Sequence, residues 1–189
     1  MKNIQLKFKS AVILLACLAL AGCAMTTREE MQPVSHVDID RFMGDWFVIA
    51  NIPTFPERDA LFPIERYERN ADGTIKTTFL FTNAKTGEPR KLKATGFIRE
   101  GSNNAVWGMQ FFWPIKADYR IVYLDPDYDT TIVGRNKRDY LWIMSRNKQI
   151  SEAKLAELIE ITTVLGYDPT RIEVSNWQRI KEEKQRAAL

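Results

Sequence analysis

The sequence predicts an all-β fold: an eight-stranded antiparallel up-and-down β-barrel with one C-terminal α-helix packed outside. Three observations carry this. Eight runs of strand length alternate apolar with polar residues, most breaks between them are hairpin-short, and one segment of helical period follows the last run. Composition agrees. The 189 residues are 45% hydrophobic and 27% charged with a mean hydropathy of −0.30, the profile of one ordinary domain. One histidine and two cysteines argue against a multi-ligand zinc site, a bis-histidine haem or an iron–sulfur cluster. A Ser-His-Asp hydrolase would have to use His36. No metal, cofactor or catalytic residue is therefore expected, and composition points to a binding fold.

Residues 1–22 carry an address. Lys2, Lys7 and Lys9 precede an apolar, small-residue run from Ala11 to Gly22, too short to span a bilayer at ~20 residues per helix. The run ends in Leu20-Ala21-Gly22-Cys23, which resembles the lipobox of bacterial lipoproteins. That resemblance implies cleavage before Cys23, a diacylglycerol on its thiol and acylation of the new amino terminus. Several chains at about 0.8 kcal/mol per buried CH₂ hold such a protein on a membrane. Ala24 rather than aspartate after the cysteine implies outer-membrane sorting, lipid-anchored and periplasm-facing. Removing the signal takes away three lysines and leaves 24 Lys+Arg against 24 Asp+Glu, so the mature chain is neutral and nucleic acid is not an expected partner. Cys17 leaves with the signal and Cys23 is lipidated, so no thiol remains. Residues 23–37 read as the acylated cysteine and a tether, 38–178 as the barrel and helix, and 179–189 as a charged tail.

The strands are expected at Trp46–Asn51, Ile64–Arg69, Thr74–Thr82, Arg90–Arg99, Ala105–Trp113, Lys116–Leu124, Asp129–Arg135 and Tyr140–Arg146. Between them stand turn sequences such as Asn70-Ala71-Asp72-Gly73, Thr86-Gly87-Glu88-Pro89 and Glu100-Gly101-Ser102-Asn103, whose Gly, Asn and Asp suit tight reversals. One longer loop, Ile52–Pro63, follows the first strand. Alternation sorts each strand into two faces. Ile75, Thr77, Phe79 and Phe81 share one face of the third strand, and Leu92, Ala94, Gly96 and Ile98 one face of the fourth. The fifth offers Trp107, Met109, Phe111 and Trp113; the sixth offers Ala117, Tyr119, Ile121 and Tyr123. These sets line the interior. Small Ala94, Gly96 and Ala117 opposite large aromatics favour a cavity, but periodicity alone leaves a packed core standing beside it. Ser151–Leu165 turns to helical period, with Ser151 as N-cap, a stripe of Leu155, Leu158, Ile159 and Thr162, and Gly166 as the stop. Outward Leu141 and Ile143 offer that helix a seat. Arg171–Trp177 is expected to add a short strand.

Three stretches then bring a family into view. Gly44-Asp45-Trp46 opens the first strand, Asp125-Pro126-Asp127-Tyr128 lies between the sixth and seventh, and Arg146 ends the eighth. In this order, behind a lipobox, the chain resembles the lipocalins, and among them the bacterial outer-membrane lipocalins, over roughly 37–177. The resemblance implies a barrel open at one end, with Trp46 plugging the other and Arg146 stacked across its indole; Gly44, Trp46 and Arg146 are structural. The inward positions it adds are Val48, Ala50, Glu65, Tyr67, Thr131, Val133, Tyr140, Trp142 and Met144. The ligand-contacting set expected is therefore Val48, Ala50, Glu65, Tyr67, Thr77, Phe79, Ala94, Gly96, Trp107, Met109, Phe111, Tyr119, Ile121, Tyr123, Thr131, Tyr140 and Trp142. Phe47, Leu124 and the missing disulfide depart from the family pattern. The function implied is binding of a fatty acid or lysophospholipid for storage or transport in the envelope. Two other readings stand beside it, an envelope scaffold with a filled barrel and a lipid-modifying enzyme. Pairing of two barrels as a homodimer is left open. Glu65 is the one inward charge, placed either near the mouth against a basic neighbour or cationic headgroup, or at an edge reaching water.

Overall fold

The computed structural model describes residues 29–178. The signal segment, Cys23 and the 179–189 tail lie outside the described residues. A short helix α1 (Ile39–Phe42) leads into β1 (Gly44–Ile52). Seven strands follow: β2 (Ala60–Arg69), β3 (Ile75–Asn83), β4 (Pro89–Ile98), β5 (Val106–Phe112), β6 (Ile115–Leu124), β7 (Thr130–Gly134) and β8 (Leu141–Ser145). Each pairs antiparallel with the next, and β1 closes the ring by pairing with both β2 and β8. Helix α2 (Glu152–Val164) and a two-residue strand β9 (Glu173–Val174), paired with the outer half of β1, follow. The expected barrel, helix and added strand are all present.

Closure fixes two ends. The β2–β3, β4–β5 and β6–β7 turns lie at one end with α1; the β1–β2, β3–β4, β5–β6 and β7–β8 connections lie at the other. The first end is shut. Asp38 caps α1 by accepting from the Asp40 and Arg41 amides, and α1 drives Ile39 and Phe42 into the barrel. Trp46 is fully buried, and its Nε1–H donates to the Phe42 carbonyl at 2.8 Å. The Arg146 guanidinium lies 3.8 Å from the Trp46 ring centre. It donates to the carbonyls of Asp45 (2.8 Å), Arg41 (2.7 Å) and Met43 (2.9 Å). Gly44 takes φ +95°, which favours glycine, and brings its backbone beside that guanidinium.

Above the plug an aromatic column rises inside the barrel. Phe42 meets Trp46, Tyr67 and Trp107 at 5.1–5.6 Å between ring centres, and Trp107 stacks on Tyr119 at 5.1 Å. The Tyr67 and Tyr119 hydroxyls share a hydrogen bond of 2.6 Å. Gly96 does not open space for a ligand, contrary to expectation. A Cβ there would stand 3.2 Å from the Trp107 ring, so the glycine exists to let that indole lie flat against β4.

A second core lies outside the barrel, where Leu158 and Thr162 of α2 are buried, Leu158 among Leu141, Ile143, Ile132 and Tyr167. Ser151 caps the helix through the Lys154 amide, as its position predicts. Two expectations fail here for one reason. Ala50 and Tyr123 were placed inside, but extra residues bulge β1 between Val48 and Ala50 and β6 between Ile121 and Tyr123. A bulge inserts one residue against the partner strand and inverts the alternation beyond it. Ala50 and Ile52 therefore join the outer core, and Tyr123 accepts a hydrogen bond from Lys154 Nζ on α2 at 3.2 Å. A third shift, between Met109 and Phe112, turns Trp113 outward to 85% exposure instead of inward.

The segment before α1 is bound to the barrel rather than free of it. Met31 is buried in the outer core, its amide donating to Asn136 Oδ1 at 2.7 Å. Val34 donates to Ile121 and Val37 to Asn103. His36 is exposed.

Arg146→Ala removes the indole contact and leaves three carbonyls to find new donors. Its expected cost is about 2–4 kcal/mol in urea denaturation, with Arg146→Lys recovering only part, since an ammonium lacks the planar fork.

Candidate functional site

The open end holds a cavity of about 60 Å³. It has two unlike walls. Phe79, Leu92, Ala94, Met109, Phe111 and Ala117, from β3 to β6, make the apolar one. Thr54 and Glu57 of the β1–β2 loop, Glu65 of β2, Thr77 of β3, Trp142 of β8 and Arg135 after β7 make the polar one, with Asp118 on the rim. Tyr119, top of the aromatic column, also lines the cavity.

Alternation puts Glu65 here. It pairs with Phe79 across β2–β3 and sits two residues above Tyr67, on the same face. The carboxyl is buried, and its Oε2 has no hydrogen-bond partner. Glu65 is not an edge residue reaching water, and among the described residues no basic side chain pairs with it. Burial, then the charge of Glu57, push its pKa well above the usual carboxylate range. Glu57 is raised too, again by burial, though the Thr54 amide donates to its Oε2 at 2.9 Å and holds the shift back. Two carboxyls sharing a buried site cannot both ionise cheaply, and of the two the burial of Glu65 favours its protonated form the more strongly. Burial likewise keeps Tyr67 and Tyr119 un-ionised.

Two further atoms on this wall have no partner, Thr77 Oγ1 and Arg135 Nε, while the Trp142 indole N–H faces the Glu57 carboxyl and helps to hold its pKa down. The Arg135 guanidinium is held in place by Asp139 at 3.4 Å and by the Tyr140 ring at 5.1 Å. A lone unpaired polar atom costs about 1–3 kcal/mol. Three of them converging on one cavity make a recognition surface for a polar group carried on an apolar body.

Of the ligand-contacting set expected from sequence, Glu65, Thr77, Phe79, Ala94, Met109, Phe111, Tyr119 and Trp142 do line the cavity. Val48, Tyr67, Trp107 and Ile121 belong to the packed core beneath it. Thr131 is fully buried beside Met144, its hydroxyl tied to the Tyr123 carbonyl. Tyr140 precedes β8 and stacks behind Arg135. Sequence reading missed Thr54, Glu57, Asp118 and Arg135. Thr54-x-x-Glu57 has the spacing of a capping box and was readable as a loop that turns a carboxylate inward; nothing local to Arg135 marks it.

A family model described as "Lipocalin-like domain" matches residues 37–176. The chain belongs to the lipocalin family. Temperature-induced lipocalin-1 of Arabidopsis thaliana is 33% identical to this lipocalin over 155 residues, 78% of this chain and 83% of that one. Outer membrane lipoprotein Blc of Escherichia coli is 26% identical over 156 residues, 82% and 88% of the two chains. Among solved structures, insecticyanin of the tobacco hornworm Manduca sexta superposes with a TM-score of 0.61 at 14% identity, covering 78% and 85%, which shows the shared fold. The family consists in general of binding and transport proteins for small hydrophobic ligands rather than catalysts.

The buried carboxyl gives a pH signature. Its folded pKa stands above the unfolded value near 4.5, so the native state keeps a proton that the unfolded state releases. Glu65's contribution to stability is therefore best below about pH 4.5 and falls as pH rises through the folded pKa. Glu65→Gln removes this loss. Its melting temperature is expected to exceed wild type by more at pH 8 than at pH 4.5; a constant difference would mean that Glu65 ionises normally.

Proposed function

We propose that this lipocalin binds a single amphipathic lipid, a fatty acid or lysophospholipid, at the open end of the barrel for storage or transport. In this reading it is held by acylated Cys23 on the periplasmic side of a bacterial outer membrane. The lipid's apolar chain lies against Phe79, Leu92, Met109 and Phe111. Its carboxyl or ester oxygens accept from the Glu65 carboxyl and Thr77, and an anionic head meets Arg135. The observation that carries the reading is the convergence of three unpartnered polar atoms on one cavity whose opposite wall is apolar. The location draws support from relatives named as outer membrane lipoproteins.

Size sets a condition. About 60 Å³ is well under the roughly 300–1,000 Å³ of common ligand sites. A whole acyl chain enters only if the mouth opens, and Phe111, 55% exposed, is the wall residue freest to swing. The same small volume favours the second reading, a scaffold whose barrel is filled.

Titration of a lysophospholipid and a fatty acid into the delipidated protein separates the two. Only Trp142 among the tryptophans lines the cavity, so saturable quenching near one ligand per barrel, lost in Trp142→Phe, is expected. Ala94→Phe fills the space and should weaken binding at least tenfold while leaving the fold intact. No saturation with either lipid would leave the scaffold.

A further inference from the structure

We propose that the open end of this barrel docks directly onto an anionic lipid bilayer. Six large apolar side chains are strongly exposed among the described residues, and five of them crown this one end. Phe55 (79% exposed) projects from the β1–β2 loop, and Phe111, Phe112 (65%), Trp113 (85%) and Ile115 (58%) form the β5–β6 hairpin. The sixth, Val164, ends α2. Contiguous exposed aromatics are rare on soluble surfaces without a partner, and a tryptophan at such a tip suits the boundary between headgroups and acyl chains.

Charge selects the partner. Arg58 is exposed on the β1–β2 connection and Arg90 and Lys91 at the start of β4, at this same end; Lys85 of the β3–β4 connection is paired with Asp59 at 2.6 Å, and Glu88 is the exposed acid there. The opposite end carries Asp72, Glu100, Asp125, Asp127 and Asp129 on its turns. The mature chain is neutral in sum, yet its charge is divided along the barrel axis, basic beside the aromatic crown and acidic at the plug. A negatively charged lipid surface complements the first and repels the second.

The path of the chain agrees. Met31 is tied to Asn136 in the β7–β8 connection, at the open end, and from there the backbone descends past Ile121 to Asn103 at the closed end. Met31 therefore stands at the open end. Cys23 stands eight residues earlier in the sequence, a reach of at most about 28 Å. On the reading of Cys23 proposed above, the acyl anchor and the crown address one bilayer. Phe111 belongs to both crown and cavity wall, so a docked barrel would receive its lipid from the membrane without exposing the chain to water; this last step rests on the proposed ligand binding, the docking itself does not.

The test uses unacylated protein from Ala24 onward, which contains every described element of the barrel. Flotation with phosphatidylcholine vesicles containing 25% phosphatidylglycerol should capture the wild type, with a blue shift of Trp113 emission and quenching by brominated acyl chains. Capture should fall in high salt and with pure phosphatidylcholine. Trp113→Ser/Ile115→Ser should lower the bound fraction at least fivefold, as should Arg90→Glu/Lys91→Glu, whereas Val164→Ser should not change it. No capture of the wild type, equal loss in Val164→Ser, or a dimer that Trp113→Ser/Ile115→Ser turns into monomers would overturn the docking surface. Neither Trp113 nor Ile115 lines the cavity, so that variant should still bind lysophospholipid from solution as wild type does. Vesicle capture by a protein that binds no lipid in solution would sink the ligand reading and leave the docking surface standing.

Discussion

The Arg146 guanidinium is the tie on which the closed end depends. It covers the Trp46 indole on one side and donates to three backbone carbonyls from α1 and the start of β1 on the other. Its own amide bonds the Asp129 carbonyl ahead of β7. One side chain thus joins the first and last strands of the ring and the helix that caps them. Ammonium chemistry cannot substitute, because the carbonyls lie in different directions and need a planar fork. With the plug in place, Phe42, Tyr67, Trp107 and Tyr119 stack upward from a fixed floor, and the height of that column sets where packed core stops and cavity begins.

The β-bulges give single strands two duties. Below its bulge β1 contributes Trp46 and Val48 to the inner core; above it, Ala50 and Ile52 support α2. In β6, Ile121 faces in and Tyr123 faces the helix. A barrel of strictly alternating strands would have to seat its helix on outward side chains alone. Each bulge spends one unpaired residue and recruits extra apolar surface beneath α2, whose own apolar stripe is narrow. Gly134 belongs to the same arrangement, since a Cβ there would stand 2.6 Å from the Tyr167 hydroxyl that bonds the Arg135 amide and the Tyr140 carbonyl.

At the open end the same sheet leaves its polarity unbalanced. Glu57 arrives on a loop and Glu65 on a strand, and neither brings a cation with it. The result is a buried wall with several unpartnered polar atoms aimed at the cavity, opposite a wall of aromatic and aliphatic side chains. Binding proteins tolerate such unpaired groups because a ligand completes them. The aromatic crown around the mouth is the same condition expressed outwardly, apolar surface with no partner in its own chain.

How much of this was legible depended on the range of the forces involved. Turn residues, alternation and the Ser151–Gly166 signals act within a few positions, so the sequence by itself determined eight strands, their order, the helix and its seat on Leu141 and Ile143. The faces of Thr77, Phe79 and Met109 were readable for the same reason, whereas the faces of Glu65 and Trp142 and the expected roles of Gly44, Trp46 and Arg146 came from the family resemblance. Beyond a bulge the rule inverts, and nothing in the runs around Ile49 or Val122 announces an extra residue; Ala50 and Tyr123 went astray there. Depth was equally hidden. Alternation says that Tyr67, Trp107 and Ile121 point inward, but only the packed column decides that they form a floor rather than a ligand's wall. The convergence of Glu57, Glu65, Trp142 and Arg135 was tertiary structure's decision alone, because four residues spread from 57 to 142 meet only when the sheet has closed on itself.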